Sequence, residues 1–234
     1  MQIQAIKTKI FREGDDLFDF IIRHIKKLPE KSVLVITSKI VALSEKRTAV
    51  FTDKKTKEKL IKSESELAIK TKYAWLTIKD GQVMASAGID ESNAKGKLIL
   101  LPGDSYKSAQ VLQSQLKKHF KLKNLGILIT DNRTIPLRAG IVGVSLGYFG
   151  FRGIKDYRGQ KDIFGRRFHF SRTDIADSLA AAAVLAMGEG NERKPLAIIT
   201  DAPIKFCQKI KKSELYINIK DDMYRPLFDK ISKK

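Results

Sequence analysis

The chain has 234 residues, 43% of them hydrophobic, one cysteine and a formal net charge of +19. That apolar share supports a packed core and excludes wholesale disorder, while the lone Cys207 excludes an internal disulfide and any thiolate-rich zinc or iron–sulfur centre. The longest apolar run, Leu179 to Met187, is about half a membrane span, so no transmembrane helix is expected and a reduced, cytoplasmic setting fits.

The first residues, Met1 to Lys7, alternate polar and apolar and predict a strand; they lack the apolar core of a signal peptide. Gly14-Asp15-Asp16 predicts a helix start before Leu17, Phe18, Ile21, Ile22 and Ile25. Ser32 to Thr37 is a continuous β-branched run, a buried strand ending in Ser38-Lys39 at a loop. Lys54 to Ile69 reads as a charged helix. Tyr73 to Ala85 reads as a hairpin turning at Lys79-Asp80-Gly81. Lys97 to Leu101 predicts a strand, and Pro102-Gly103-Asp104 caps an amphipathic helix from Tyr106 to Phe120.

Leu125 to Thr130 predicts a second buried strand, ending on Asp131. Gly140 to Gly165 is crowded with glycine and aromatic residues, which predicts tightly packed strands and loops. Ser171 to Met187 predicts a helix with a small-residue face, closed by Gly188. Leu196 to Thr200 predicts a third buried strand ending on Asp201. The tail from Cys207 is charged and reads as peripheral. The class is α/β with a mixed sheet. The polar ends Ser38-Lys39, Thr130-Asp131 and Thr200-Asp201 are expected to meet at one ligand-binding edge.

The positive charge fits a nucleic-acid partner, polyanionic small molecules, or solvated lysine-rich faces. Lysines are scattered along the chain and aromatics are not interleaved with them, so nucleic acid is not expected as the partner. Asp90 stands beside Ser92 and Asn93, and Asp131 between Thr130 and Asn132. These are hard oxygen donors suited to Mg²⁺ or Mn²⁺. The same residues also fit ordinary Asx-turns. Lys39 is a candidate phosphate contact, or a plain surface lysine. Arg152, Lys155, Arg158, Arg166 and Arg167 lie among glycines with Asp156 and Asp162. They form either an anion cradle or a salt-bridged loop. No Walker A or dinucleotide-binding glycine pattern is present.

Several blocks resemble the coenzyme F420-0:gamma-glutamyl ligase family. They are Gly14 to Leu17, Val35-Ile36-Thr37-Ser38-Lys39-Ile40-Val41, Ala87-Gly88-Ile89-Asp90-Glu91-Ser92-Asn93, Leu100-Leu101-Pro102 with Asp104, Ile129-Thr130-Asp131, Asp156-Tyr157-Arg158-Gly159, Asp162 to Arg166, Ile175-Ala176-Asp177 and Met187-Gly188. They occur in family order, from the N-terminus to about Asp201. The resemblance implies a two-part α/β fold, packed as intimate subdomains over residues 1–205 with a charged extension at 206–234, and an intertwined homodimer. It implies a GTP-dependent ligase that joins L-glutamate to an anionic carboxylate acceptor, F420-0-like or folate-like, through an acyl phosphate. Asp90 and Asp131 then hold one or two Mg²⁺ or Mn²⁺ ions, with Asn132 in the place of a second-metal ligand. Thr8, Lys9, Ile10, Phe11, Ser38, Lys39 and Asn93 contact the nucleotide. Asp131, Lys39 and Arg158 carry the chemistry.

Two departures stand out. Leu43 occupies the place of a nucleotide-contacting lysine, with Lys46 out of register. The stretch after Asp131 loses the family's Gly-Arg and Gln-Thr pairs while keeping Arg138 and Gly140. Two readings stand beside a working ligase: a basic nucleic-acid-binding protein, and a relative that binds nucleotide without catalysis.

Overall fold

The computed structural model describes residues 1–231. The alternating N-terminus forms β1 (Gln2–Ile6), and α1 (Leu17–His24) starts at Asp16, whose carboxylate accepts the Asp19 N–H at 2.8 Å. The apolar run forms β2 (Ser32–Thr37), which passes directly into α2 (Ser38–Ser44). Ser38-Lys39 therefore opens a helix, not the expected loop. Next come β3 (Thr48–Val50), α3 (Lys54–Ser63), β4 (Leu67–Lys70), β5 (Trp75–Lys79), β6 (Gln82–Ala85) and β7 (Lys97–Ile99). Helix α4 (Ser105–Phe120) is capped by Asp104, and β8 (Leu125–Thr134) with β9 (Ile141–Phe149) forms a long hairpin. A second hairpin, β10 (Ile154–Asp156) and β11 (Arg172–Asp174), precedes α5 (Ile175–Met187), β12 (Leu196–Thr200) and α6 (Arg225–Ile231).

The main sheet has the order β1-β12-β2-β8-β9. Strands β2 and β8 are parallel, and the other neighbouring pairs are antiparallel. One face packs Leu34, Ile36, Ile127 and Ile129 against α1, α2 and α4. The other packs Val33, Val35, Leu128 and Ala197 against α5. Burial on both faces is why β2 is an unbroken apolar run instead of an alternating one. Shaving a side chain such as Ile36 to alanine would cost about 2–5 kcal/mol. The small face of α5 lets the helix lie close: a Cβ at Gly143 would stand 2.6 Å from the Ala180 carbonyl oxygen.

A second, smaller core sits beside the sheet. It gathers Ile61, Ala87, Ile89, Leu98 and Leu100 with Trp75. Sheets β4-β5-β6 and β3-β7 enclose it. The expected hairpin turn at Asp80-Gly81 is present, with β5 ending at Lys79 and β6 starting at Gln82.

Four further expectations are corrected. The charged helix stops at Ser63, because Leu67 to Lys70 pair with Trp75 to Ile78 as a strand. The last long helix starts at Ile175, since residues 172–174 pair with 154–156 and Asp174 supplies the cap. β8 runs past Asp131 to Thr134, with a register shift between Ile129 and Thr130. The tail is not wholly peripheral: Ile210 and Leu215 pack on the α5 side of the core.

Candidate active site

Strands β1, β2 and β8 point the same way, and β12 runs against them. The C-terminal end of β1, the β2–α2 junction and the Thr130–Asn132 segment of β8 therefore share one edge of the sheet. Residues 188–195, which lead into β12, enter from that same edge. Together with Asp90, Ser92 and Asn93 they line a cavity of about 860 Å³. Thr200-Asp201 lies at the opposite edge, because β12 is antiparallel to β2, so the expected meeting of three C-terminal ends is corrected to two. Pro195, at the start of β12, takes the third place.

The nucleotide-stretch candidates Thr8, Lys9, Ile10 and Phe11 all reach this cavity. Thr8 N–H donates to the Arg193 carbonyl at 2.9 Å, tying this segment to the loop before β12. Lys9 N–H donates to His24 Nε2 at 3.1 Å, and His24 Nδ1 lies 2.9 Å from the Phe20 carbonyl. That pairing makes Nδ1 the protonated ring nitrogen. Phe11 is mostly core, stacked edge-on with Phe20 at 4.9 Å, whereas Ile10 is exposed.

Asp90 is held by its backbone, which exchanges two 2.9 Å hydrogen bonds with Ile99. Gly88 just before it has φ +70°, and Leu101 lies where a Cβ would go, so this turn requires glycine. The Asp90 carboxylate accepts Ser92 N–H at 2.6 Å and Ser92 Oγ–H at 2.9 Å, which is an Asx-turn. It also pairs with Lys39 Nζ at 2.6 Å. Lys39 donates to Ser92 O at 3.1 Å and Ser92 Oγ at 3.0 Å as well. Burial pushes the Asp90 carboxyl up, but Lys39 and the Ser92 donors outweigh it and hold it below its ordinary value. The Asx-turn and the cavity-facing carboxylate are thus one structure.

Asp131 pairs with Arg133, two residues along the same strand. Its other oxygen lies 3.4 Å from Ser38 Oγ. Asn132 Nδ2 donates to Glu189, while Asn132 Oδ1 is buried with no partner. Burial raises the Glu189 carboxyl, and the Asp131 charge adds to that against the Asn132 hydrogen bond. Asn93, exposed at φ 54°, lines the cavity mouth, and Leu43 lines its wall where the family resemblance placed a lysine. Lys46 is not among the lining residues; Lys9, Lys39, Lys95, Arg193 and Lys194 are the cations there.

Arg158 is not brought to this cavity. It sits on the loop after β10, exposed, paired with Asp156 at 2.5 Å. Its neighbours close the same hairpin: Asp162 accepts N–H groups of Phe164 and Arg166 at 2.9 and 2.8 Å, and Arg167 donates to Gly159 O at 2.7 Å. Among the described residues Arg158–Asp156 is this segment's ion pair, and the contacts at Asp162 and Gly159 are hydrogen bonds. Arg133, Glu189 and His24 went unassigned in the sequence. The Gly188-Glu189-Gly190 triplet before a strand was the one legible signal among them.

The donors fit a hard divalent cation. Asp90 and Asp131 are carboxylates on the cavity wall, with side-chain exposures of 43% and 23%. Among the described residues no group of three or more His, Cys, Asp or Glu is arranged to cage a metal. Two carboxylates are a donor set of the kind Mg²⁺ or Mn²⁺ take, the rest of the shell being water and phosphate oxygens. Among the described residues no helix is long and apolar enough to cross a membrane.

The chain is 32% identical over 216 residues to the coenzyme F420:L-glutamate ligase of Methanococcus maripaludis, covering 85% of this chain and 86% of the relative. It is 33% identical over 206 residues to the ligase of that name from Methanopyrus kandleri, covering 80% and 81%. It is 27% identical over 234 residues to that of Archaeoglobus fulgidus, covering 92% of each. The sequence model of F420-0:Gamma-glutamyl ligase matches residues 5–201, most of the chain, and the protein belongs to that family.

Proposed function

We propose that the chain is a gamma-glutamyl ligase that uses GTP and Mg²⁺ or Mn²⁺ to join L-glutamate to an anionic carboxylate acceptor of the F420-0 or folate kind. One observation carries the reading: Asp90, Lys39, Ser38, Asp131 and Asn132, distant in sequence, line one cavity with five cations around it. A nucleoside triphosphate, an acceptor carboxylate and glutamate are all anionic; the cavity's five cations, set against the carboxylates of Asp90, Asp131, Glu189 and Glu192, offer them counter-charge.

The acceptor carboxylate attacks the γ-phosphorus of GTP, giving an acyl phosphate and GDP. The glutamate amine then attacks the acyl carbon, forming the amide and expelling inorganic phosphate. Asp90 and Asp131 would hold a divalent ion, which would supply charge neutralisation for the transferring phosphoryl group. Lys39 can leave Asp90 to hold a phosphate as a point charge. Ser38, Asn93 and residues 8–11 hold the nucleotide, and Asn132 with Glu189 orients the far side of the site. Arg158 has no role within a single chain in this scheme.

Residues 1–205 form the catalytic domain in this reading, as two packed subdomains, with 206–234 as an extension. A cytoplasmic homodimer is also proposed. Ile163, Phe164 and Phe170, 91%, 90% and 90% exposed on the β10–β11 connection, are an apolar surface suited to a second copy.

The test is mass spectrometry of purified protein with GTP, Mn²⁺ and glutamate, supplied in turn with F420-0 and a folate. The expected result is an acceptor heavier by one glutamyl residue, with GDP and phosphate released in equal amounts. GTP binding without glutamate-dependent GDP release for any acceptor would favour the non-catalytic reading that Leu43 motivates.

A further inference from the structure

Both candidate metal aspartates are already neutralised by cations of the chain, and the two cations differ in freedom. The Lys39 side chain is 25% exposed, lines the cavity and hangs on a flexible stem. It can exchange Asp90 for a phosphate without being dehydrated further. Arg133 is 8% exposed and is not among the residues lining the cavity. It reaches Asp131 from inside the protein. Its Nη1 donates to one Asp131 oxygen and to Asn132 O at 2.9 Å, and Nη2 lies 3.6 Å from Met84 Sδ on β6. Its Nε is buried with no partner. A guanidinium stays protonated in proteins, and withdrawing this one would empty a filled slot between β6 and β8. Asp131 therefore keeps one oxygen for the cavity, the one facing Ser38 Oγ at 3.4 Å.

We propose that Arg133 is a positioning residue of the metal site. It is a fixed internal cation that holds one oxygen of Asp131, leaves the other to a metal, and keeps the site weak for a free divalent ion until nucleotide arrives. In the empty cavity Lys39 and Arg133 balance Asp90 and Asp131. Nucleotide phosphates draw Lys39 off Asp90 and add their own charge, so metal and nucleotide bind cooperatively. This rests on the metal-dependent reading above, and nothing in the sequence spacing marks Arg133 for it.

The test is Mn²⁺ binding to the full chain by electron paramagnetic resonance, with and without GTP, with a melting curve for each variant. A fixed cation in contact with a carboxylate repels a divalent ion that binds the same group. Arg133→Met should bind Mn²⁺ alone at least about tenfold more tightly than the natural chain, and its gain on adding GTP should shrink. Arg133→Gln keeps a donor for Asp131 and removes only the charge, so it is the variant to read where Arg133→Met melts early. Arg133→Lys should stay near the natural affinity. Unchanged or weaker Mn²⁺ binding by folded Arg133→Gln overturns the inference and leaves the ligase reading standing. A natural chain that binds no Mn²⁺ with or without GTP overturns both.

Discussion

Two polar clusters flank the five-stranded sheet, and they treat their carboxylates in opposite ways. At the cavity edge, Asp90 and Asp131 are paired with Lys39 and Arg133. Asp90 is thereby kept charged despite its burial. On the α5 side, Glu214 of the tail accepts the Tyr148 hydroxyl and, at 2.8 Å, the Gly153 N–H. Asp174 and Asp177 accept backbone N–H groups there, at 2.9 Å from Asp177 and 2.8 Å from Ser145. Burial raises both carboxyls, Asp174 to about 6, and pushes the Tyr148 hydroxyl well above its ordinary value. The first cluster stores charge where a ligand can use it. The second satisfies hydrogen bonds and fastens the tail to the core.

The sharpest way to break this contrast is to neutralise a cavity acid. Asp131→Asn or Asp90→Asn should lower GTP-dependent ligation by about 100-fold or more; Asp90→Asn should move the melting temperature only slightly, whereas Asp131→Asn strips the buried Arg133 of its counter-charge and should melt earlier. Steady-state rates and calorimetric nucleotide titration check it. GTP affinity that still rises with Mn²⁺ in both variants as much as in the natural chain would remove the metal assignment.

The second cluster should behave in reverse. Glu214→Ala leaves the fully buried Tyr148 hydroxyl and the Gly153 N–H unpaired, at a cost of about 3 kcal/mol in urea unfolding. The kcat of the folded fraction should be unchanged. A fall in kcat as large as the fall in stability would show that the tail acts on the cavity.

A smaller effect is expected at Asp174. Its folded pKa of about 6 lies above the ordinary 3.8, so the native state binds this proton more tightly than the unfolded chain. The stability it contributes is complete at low pH and is lost as pH rises from about 4 through about 6. Asp174→Asn keeps the cap on α5 and removes that loss. The gain at pH 7 is about 1 kcal/mol after discounting for solvent screening. Melting at pH 4 and pH 7 reads it, and a gain at pH 4 as large as that at pH 7 would contradict it.

Arg158→Ala should give the smallest change, with nucleotide affinity held within about twofold, because its ion pair is exposed and outside the cavity. A tenfold loss of turnover would return Arg158 to the chemistry, supplied by a second copy.

Much of this was legible before any coordinates. β2, β8 and β12 were visible as apolar runs because they are buried on both faces. The starts of α1 and α4 were visible because Asp16 and Asp104 leave a cap signature. Leu67 to Lys70 was misread as helix because its strand identity depends on pairing with Trp75 to Ile78, not on its own residues. Asp90, Asp131, Lys39, Ser38 and Asn93 were identified and do meet at the cavity. Arg133 was passed over because a buried arginine looks like a surface one until its neighbours are known.

By itself, then, the sequence determined the apolar strands, the main helices, the residue types of a candidate hard-cation and phosphate site, and membership of a ligase family. Their order along the chain carries those signals locally. Only the tertiary structure decided which strand ends share an edge. The antiparallel turn of β12 sent Asp201 away and brought Glu189 and Pro195 in. It also decided that one candidate metal-site aspartate faces a cavity-lining lysine and the other a buried arginine. Strand direction and burial are set by long-range packing, and no local pattern encodes them.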